Sequence, residues 1–276
     1  MIYIIIPVFN RWYFTELCLL SLLKQNYHNY KIVVVDHGST DGTSEKIATQ
    51  FPLVIVITGD ESMWWAAATN LGVQYAISNN ADFVLTLNND LEVNSDYLNS
   101  LLKVYNENKP CLVGSLTVDI KNQDKILFIG GTWNKYFAKY KAHNNIYKSV
   151  KNLDTNFEKI ESDMLPGRGV LIPIEALQKF GLFDEVNFPH YFADDDFSVR
   201  CKYEGFKLIV SIKSVVKSYT DDTNSLFKFT NFTSIRSPLN LSTRYKWAKK
   251  HTPMPILYFI IDIARIVTSQ LFKNKK

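Results

Sequence analysis

Residues 2–8 (IYIIIPV) form a continuous apolar run, which Pro7 and Asn10 bring to an end. An apolar run of this length is typical of a strand that is buried on both faces of a sheet. Residues 31–36 (KIVVVD) repeat this pattern after the stretch 11–25, which carries leucines at helical spacing. Two buried strands joined by a helix make a right-handed crossover unit, so this part of the chain predicts a parallel sheet.

The same alternation continues through the first half of the chain. We predict further helices over 43–51, 66–78 and 95–105, and further strands over 53–58 and 83–87. In α/β sheets of this kind, ligands bind beyond the carboxyl ends of the strands. The residues that directly follow each apolar run are therefore the first candidates for a functional site.

Composition and charge limit the class of protein. The 276 residues are 46% hydrophobic and 21% charged, which excludes a disordered chain and provides a sizeable core. Three cysteines without a C-x-x-C pair indicate buried free thiols in a reducing compartment. Residues 1–206 contain 18 Lys/Arg and 24 Asp/Glu, whereas residues 207–276 contain 13 and 3. This asymmetry indicates that the basic tail faces an anionic partner.

Polar loops follow four successive predicted strands. They contain Pro7, Phe9, Asn10 and Arg11, then Asp36, His37 and Gly38, then Gly59 and Asp60, and finally Asn88, Asn89 and Asp90. Each loop alone is explained by the ordinary preference of Gly, Asn and Asp for turns. Four such loops at the same edge of one sheet favour a binding site instead.

A diphosphate is a ligand that this edge could hold only with help from a cation. The glycine-rich patterns G-x-G-x-x-G and G-x-x-x-x-G-K-[ST] are both absent. The carboxylate and amide oxygens of residues 88–90 (NND) are ligands that Mg²⁺ or Mn²⁺ accepts. Asp36 either accepts the N–H of a pyrimidine ring or simply caps the turn that follows it.

Residues 190–200 (HYFADDDFSVR) contain three adjacent carboxylates, which repel one another unless a helix start or a cation compensates them. A predicted helix over 197–203 places Arg200 one turn from Asp196, where the two can pair. Asp194 then faces the cleft, and a partly desolvated carboxylate there suits a general base. The alternatives are that all three aspartates only cap the helix, or that Asp195 is the base.

Taken in order, residues 7–10, 35–43, 87–90 and 192–197 resemble the motifs of the family 2 glycosyltransferases. The resemblance covers residues 1 to about 220. It implies the GT-A fold, a nucleotide-diphosphate sugar donor and inversion at the anomeric carbon. Residues 59–72 and 165–169 (LPGRG) are similar to the rhamnosyltransferase-like subgroup of bacterial surface-polysaccharide enzymes in particular.

This resemblance implies a fold, a domain division and residue roles. We expect a mixed sheet flanked by helices in a GT-A domain over 1–225, divided into a nucleotide-sugar part (1–115) and an acceptor part (116–225). A helical extension over 226–276 follows. The resemblance makes Asp36 the base-recognition residue, Asp90 the carboxylate on a Mn²⁺ or Mg²⁺ ion, and Asp194 the catalytic base. Further donor contacts are expected from Pro7, Phe9, Asn10, Arg11, Gly38, Asp60, Trp65, Asn70, Asn88 and Asn89. Contacts to the acceptor or the donor sugar are expected from Trp133, Gly167, Arg168, Gly169, His190 and Asp195.

The expected function is transfer of a hexose, with rhamnose among the candidates, to a glycan or lipid-linked acceptor of the bacterial cell envelope, such as a lipopolysaccharide. A UDP or dTDP donor is favoured over a GDP donor. Departures from the family pattern leave alternatives: residues 215–219 lack the usual histidine ligand, and Asn88 and Ala193 replace acidic residues. An inactive glycan- or membrane-binding module therefore stays open. A sugar-phosphate nucleotidyltransferase would need glycines that residues 9–12 lack, and the tail is too apolar for nucleic acid.

The segment 255–272 carries Tyr258, Asp262, Arg265 and Ser269 on one helical stripe among apolar residues. Its charges argue against a transmembrane span. Lysines at 273, 275 and 276 follow, so the segment predicts an interfacial helix on an anionic leaflet. Packing against its own domain or a second subunit is the alternative. The expected location is cytoplasmic, peripheral to the inner face of the plasma membrane.

Overall fold

A computed structural model of the chain describes residues 1–145, 148–154, 157–219 and 229–273. The predicted tail lysines 275 and 276 lie outside these ranges. Helices α1 to α8 span Trp12–Leu22, Thr43–Gln50, Trp65–Ser78, Tyr97–Asn108, Ile174–Phe180, Ala193–Tyr203, Leu241–His251 and Pro255–Lys273. Strands β1 to β12 span Ile2–Val8, Tyr30–Asp36, Ile55–Thr58, Phe83–Thr86, Leu91–Val93, Cys111–Asp119, Ile126–Phe128, Gly131–Asn134, Lys139–Ala142, Lys159–Glu161, Val170–Pro173 and Lys207–Ser218.

One large mixed sheet organises the described residues, with the strand order β10-β12-β6-β11-β4-β1-β2-β3. The four strands from β4 to β3 are parallel, as the sequence predicted, because each is reached through a helical crossover. Strand β11 runs antiparallel between β4 and β6 and makes the sheet mixed. Strands β8 and β9 form a separate hairpin. The mixed α/β fold expected from the resemblance is confirmed.

Hydrophobic side chains of successive residues in β1 face opposite sides of the sheet, as strand geometry requires. Tyr3 and Ile5 pack in the cluster that includes α3, α6 and α7, whereas Ile4 and Ile6 pack in the cluster that includes α1 and α4. Both faces are therefore covered, which explains why β1 is a continuous apolar run. The three cysteines are free and buried, as predicted.

Helix α6 begins four residues earlier than the sequence predicted, at Ala193 instead of Phe197. Phe192 adopts a left-handed backbone (φ 72°) at the helix N-cap, and Asp194, Asp195 and Asp196 occupy the first turn. Acidic side chains are favoured there because the amino end of a helix carries a partial positive charge. The three carboxylates are thus part of the first helical turn, and the N-cap residue Phe192 makes no side-chain cap hydrogen bond.

Asp196 is completely buried and joins α6 to α7. Its Oδ2 accepts from Arg200 Nε at 2.9 Å, which confirms the predicted pair. Its Oδ1 lies 2.7 Å from both Lys250 Nζ and His251 Nε2. Burial opposes ionisation of Asp196, but hydrogen bonds from His251 and Lys250 and the charge of Arg200 outweigh it and lower the pKa of this carboxyl.

The C-terminal helices pack on the rest of the chain. Trp247 of α7 is buried in the core cluster with α6, and the Tyr258 hydroxyl of α8 accepts from Trp133 Nε1 at 3.1 Å. Arg244 Nη1 donates to Asp262 at 2.6 Å. The stripe that contains Tyr258 and Asp262 therefore faces the chain's own domain, as one of the two alternatives expected. No helix in the described part of the chain is long and apolar enough to cross a bilayer.

Replacing Asp196 by alanine should destabilise the protein by about 3–5 kcal/mol, because Arg200, Lys250 and His251 then lose their common carboxylate. Urea unfolding at neutral pH measures this loss. Glu107→Ala, at an exposed position, is the control and should change the free energy of unfolding by less than about 0.5 kcal/mol. A lowered pKa means that the native contribution of Asp196 is lost as pH falls below about 5, and the variant should lack this part of the pH dependence. A loss under about 1 kcal/mol would contradict the structural role.

Candidate active site

The loops that follow β1 and β2 are tied together at the carboxyl edge of the sheet. Asn10 N donates to Ser39 Oγ at 2.7 Å, and Asn10 Oδ1 accepts from Thr40 N at 2.8 Å. Asn10 and Arg11 both adopt left-handed backbones, with φ of 58° and 67°. Strained conformations of this kind persist only where surrounding contacts fix them, and they concentrate at functional sites.

Asp36 is 4% exposed and lies beneath this pair of loops. Its Oδ1 accepts from Ser39 N at 2.9 Å, and its Oδ2 accepts from the Ser44 hydroxyl. The turn-capping contacts expected as the alternative are therefore present, while recognition of a base stays a prediction. The rings of Phe9 and His37 stack nearby, 5.5 Å apart and 23° from parallel, and Phe9 is 40% exposed.

Each residue of the predicted cation segment has a protein partner. Asn88 Oδ1 accepts from Trp65 Nε1 at 2.9 Å, and Asn89 Nδ2 donates to Thr15 Oγ1 at 2.9 Å. The Asp90 carboxylate lies 3.5 Å from Arg11 Nη1. Within the described ranges no group of three His, Cys, Asp or Glu side chains is arranged around a metal position. One partly exposed carboxylate with neighbouring amides fits a hard cation only if phosphate oxygens supply most of its ligands.

Trp65, Gly167 and Asp194 link this segment to the acidic cluster. A Cβ added to Gly167 would lie 2.5 Å from the Trp65 ring, closer than non-bonded atoms approach. Gly167 N in turn donates to Asp194 Oδ2 at 2.6 Å. A glycine is required here by the close approach of the indole, which brings three separate segments of the chain together.

These segments enclose a cleft of about 450 Å³. Seven of the predicted site residues line it: Trp65, Asn88, Gly167, Arg168, His190, Asp194 and Asp195. Phe128, Tyr191, Phe192 and Pro238 also line it and were not among the predicted site residues. Tyr191 and Phe192 adjoin the acidic cluster in sequence, so their position next to it was the only available signal. Phe128 and Pro238 are distant in sequence from the acidic cluster, so no such signal marked them.

A second cleft of about 340 Å³ adjoins the first and shares Phe128, Pro166, Phe192 and Asp195 with it. Aromatic side chains line much of it, namely Trp133, Tyr140, Trp247 and Tyr258. Trp133 therefore lies in this second cleft, away from Asn88. The Arg244–Asp262 ion pair also borders this cleft. The contributions of α7 and α8 were missed because no sequence motif marks them.

The carboxylates of the cluster differ in acidity although they are adjacent in sequence. Burial raises the pKa of Asp194, and the N–H of Gly167 opposes this shift. The pKa of Asp195 is raised well above its usual value by burial and by the charges of Asp194 and Asp196. A carboxylate with a raised pKa is a stronger base than an ordinary aspartate, and such shifts are typical of catalytic groups.

Several other predicted residues lie around or behind the cleft. The Asn70 amide is buried and is bonded to the backbone of Phe183 (2.9 and 3.0 Å) and to Glu185 (2.7 Å). These contacts fix the loop between α5 and α6 that contains Phe183 and Glu185. Asp60 is exposed, and hydrogen bonds from Ser62 lower its pKa.

Glycine is needed at two of these positions for its backbone or its small size. Gly169 has φ +89°, and an added Cβ would lie 2.4 Å from the Tyr97 hydroxyl behind the cleft. Gly38 has φ +105° and lies against Glu61.

Two further predicted residues are partly or fully buried. Pro7 is buried within β1. His190 packs edge-on against Trp64 with ring centres 5.7 Å apart, and burial lowers the pKa of His190.

This sheet and cleft define a GT-A glycosyltransferase domain. The chain belongs to glycosyl transferase family 2, whose model matches residues 3–157. The fold is similar to the crystal structure of GalNAc-T7 with UDP, GalNAc and Mn²⁺, with a TM-score of 0.66 over 98% of this chain and 57% of that chain, at 16% identity. The family and fold expected from the motifs are confirmed.

Bacterial glycosyltransferases are among the relatives. The chain is 25% identical over 187 residues to glycosyltransferase GlyA of Streptococcus pneumoniae serotype 4, covering 67% of this chain and 25% of that protein. It is 24% identical over 210 residues to GlyG of the same organism, covering 71% and 62%. An uncharacterised glycosyltransferase of Rickettsia prowazekii is 28% identical over 184 residues, covering 66% and 53%. The chain thus spans between 25% and 62% of the length of these relatives.

The Gly167→Ala variant should be destabilised by about 1–3 kcal/mol, because the new methyl group overlaps the Trp65 ring. Trp65→Phe removes the overlapping ring atoms. The double variant should therefore lose less free energy of unfolding than the two single variants lose in sum. Urea unfolding followed by circular dichroism measures all three. Gly181→Ala is the control for the rescue: its cost comes from the left-handed backbone (φ +77°) and not from a contact, since an added Cβ there meets nothing within 4 Å, so Trp65→Phe should not offset it. Strict additivity of the two single changes would contradict the contact.

Proposed function

We propose that this protein transfers a hexosyl group from a nucleotide-diphosphate donor to a hydroxyl group, with inversion at the anomeric carbon. The observation that carries the proposal is the bridge from Asn88 through Trp65 and Gly167 to Asp194. It connects the predicted diphosphate edge to a carboxylate of raised pKa within one cleft. Membership of glycosyl transferase family 2 supports the same reaction class.

Asp194 is the proposed general base. The acceptor hydroxyl oxygen forms a bond to the anomeric carbon, the bond to the diphosphate oxygen breaks, and the hydroxyl proton passes to the Asp194 carboxylate. Gly167 N–H holds Asp194 Oδ2, which fixes the orientation of the carboxylate relative to the cleft. A fixed, partly desolvated carboxylate is the group that this proton transfer requires. Asp195 is the second candidate, because its pKa is raised further and it borders both clefts.

The donor is proposed to lie along the loops after β1, β2 and β4. The exposed Phe9 ring, stacked on His37, offers a surface for a base beside Asp36. The fold neighbour GalNAc-T7 was crystallised with UDP and Mn²⁺, which supports a UDP-type donor and a divalent cation on Asp90. When bound, the cation would act as a Lewis acid toward the leaving diphosphate. Two basic residues supply positive charge near the same edge. Arg11 Nη1 lies 3.5 Å from the Asp90 carboxylate, and Lys217 of β12 is the register partner of Glu92 in β5.

The acceptor is proposed to enter through the second cleft, because its aromatic rings suit the C–H faces of sugar rings. Asp195 lies where the two clefts meet, next to the proposed base. A glycan or lipid-linked saccharide of the cell envelope fits this arrangement. The similarity of residues 59–72 and 165–169 to rhamnosyltransferase-like enzymes makes rhamnose one candidate for the transferred sugar. An inactive binding module is the competing function, since Asn88 and Ala193 replace acidic residues.

Asp194→Asn should lower kcat/KM about 10²–10⁴-fold, because general-base catalysis contributes that much, while UDP still raises the melting temperature. Donor hydrolysis and transfer to a soluble acceptor measure the change. Asp195→Asn is the matched control and should lose less than about tenfold. The reverse ranking would assign the base to Asp195, and undetectable turnover by the wild-type protein with UDP-, dTDP- and GDP-sugars would favour the inactive module.

Activity should fall as pH is lowered through a pKa above the ordinary aspartate value of about 3.9, because only the ionised base accepts a proton. The pH dependence of kcat/KM at constant Mn²⁺ measures this midpoint. In Asp195→Asn the fall should persist, since Asp194 retains its buried environment. A pH-independent rate between about pH 4 and 7 would contradict a carboxylate base of raised pKa.

Removal of divalent cations by a chelator should abolish turnover, and Mn²⁺ should restore it. Asp90→Asn should raise the Mn²⁺ concentration required for half-maximal activity at least about tenfold, because one carboxylate supplies most of the protein charge at the site. Asp96 is an exposed aspartate that directly precedes α4. Asp96→Asn is therefore the control and should leave the required Mn²⁺ concentration unchanged. Full activity in the chelator would contradict the cation assignment.

A further inference from the structure

Helix α8 presents chemically opposite faces to the domain and to solvent. Two residues of its polar stripe face inward, since Tyr258 is 6% exposed and Asp262 is paired with Arg244. On the opposite side, Ile256, Ile260 and Val267 are 67%, 59% and 39% exposed. Together with Ile263 they recur every three or four residues, which aligns them along one side of the helix. We name these four residues the outer stripe.

An exposed stripe of large apolar residues on a surface helix indicates a surface that is covered in the working protein. The outer stripe extends toward the start of α8, where Met254 and Leu257 are 48% and 46% exposed. The β8–β9 hairpin lies next to the helix, since Arg265 Nη1 donates to the Ala138 carbonyl at 3.4 Å. Tyr136 and Phe137 in that hairpin turn are 54% and 61% exposed. Apolar and aromatic exposure is therefore concentrated around α8.

The C-terminal part of the sequence, which contains α8, has a net positive charge. Residues 207–276 carry 13 Lys/Arg and 3 Asp/Glu, whereas the preceding 206 residues carry 18 and 24. Asp262 is the one acid in the sequence of α8, and it is neutralised by Arg244. Lysines at 273, 275 and 276 follow in the sequence. A negatively charged partner is favoured by this distribution.

We propose that α8 lies in the interface of an anionic lipid bilayer, with the outer stripe inserted at the boundary between headgroups and acyl chains. A wide apolar face with adjacent basic residues is the pattern of such interfacial helices. A second copy of the chain is a poorer occupant, because two-fold pairing through α8 would bring two segments of net positive charge together. Anionic lipid instead attracts the same charges.

The proposed membrane contact would place the bilayer next to the acceptor cleft, and this step alone rests on the proposed function. Tyr258 and Asp262 border the second cleft, and the outer stripe lies on the other side of the same helix. A bilayer under α8 would therefore adjoin the cleft assigned to the acceptor. A saccharide carried on a membrane lipid would reach that cleft without leaving the surface.

Co-sedimentation of the whole chain with vesicles tests the proposal. The wild-type protein should bind vesicles of phosphatidylcholine with phosphatidylglycerol at least about tenfold more tightly than vesicles of phosphatidylcholine alone, and added salt should weaken that binding. The double variant Ile260→Glu/Val267→Glu should bind the anionic vesicles at least about tenfold more weakly. Leu53→Glu/Val186→Glu is the matched control, since these side chains are 85% and 79% exposed on other parts of the chain. It carries the same charge change away from α8, so it should bind within about twofold of the wild type.

Equal binding of wild type and the Ile260→Glu/Val267→Glu variant would overturn the proposal, as would equal binding to both kinds of vesicle. A dimer in light scattering that this variant converts to a monomer, without vesicle binding, would assign the outer stripe to a second copy. Thermal unfolding and the response to UDP confirm that each variant is folded. Vesicle binding by a wild-type chain that lacks turnover would contradict the proposed function alone.

Discussion

The buried carboxylate of Asp196 is the constraint on which the acidic end of α6 depends. Three adjacent aspartates repel one another, and the helix start offsets only part of that repulsion. Arg200 and Lys250 neutralise Asp196, the one member of this run that is fully removed from water, and His251 Nε2 lies 2.7 Å from the same carboxylate. Asp194 and Asp195 are then free of those cations and can face the cleft. The same contacts attach α7 to α6, so the site and the C-terminal helices share one anchor.

Position within a single helical turn separates the chemistry of the three aspartates. Asp196 points into the protein, where cationic partners lower its pKa, while burial raises the pKa of Asp194 and Asp195 at the cleft. A turn of helix is enough because successive side chains point about 100° apart. One acidic run thus provides both a structural ion and candidate bases, and neither role excludes the other.

The C-terminal helices belong to the site as much as to the periphery. Trp247 and Tyr258 border the second cleft, and Trp133 of the β8–β9 hairpin packs on both of them with ring centres 5.5 and 6.3 Å away. Because aromatic side chains from three parts of the chain form this cleft, its shape depends on how α7 and α8 pack. The helix that carries the outer stripe is therefore also a wall of the proposed acceptor site.

The sequence by itself determined the parallel half of the sheet, its polar loops and the family. Buried strands and turns are recognised from residues that are neighbours in the chain, so they do not depend on how the elements pack. The acidic cluster and its Arg200 pair could also be predicted, since an i, i+4 contact is set by helix geometry alone. Only the tertiary structure decided that Trp65 lies against Gly167, that Asn70 fixes the loop at Phe183, and that Trp133 lies in a separate cleft. It also decided that Tyr258 and Asp262 of α8 face inward and that Ile256 and Ile260 stay exposed. These contacts join residues that are distant in sequence, and their geometry follows from how whole elements pack, which no local pattern encodes.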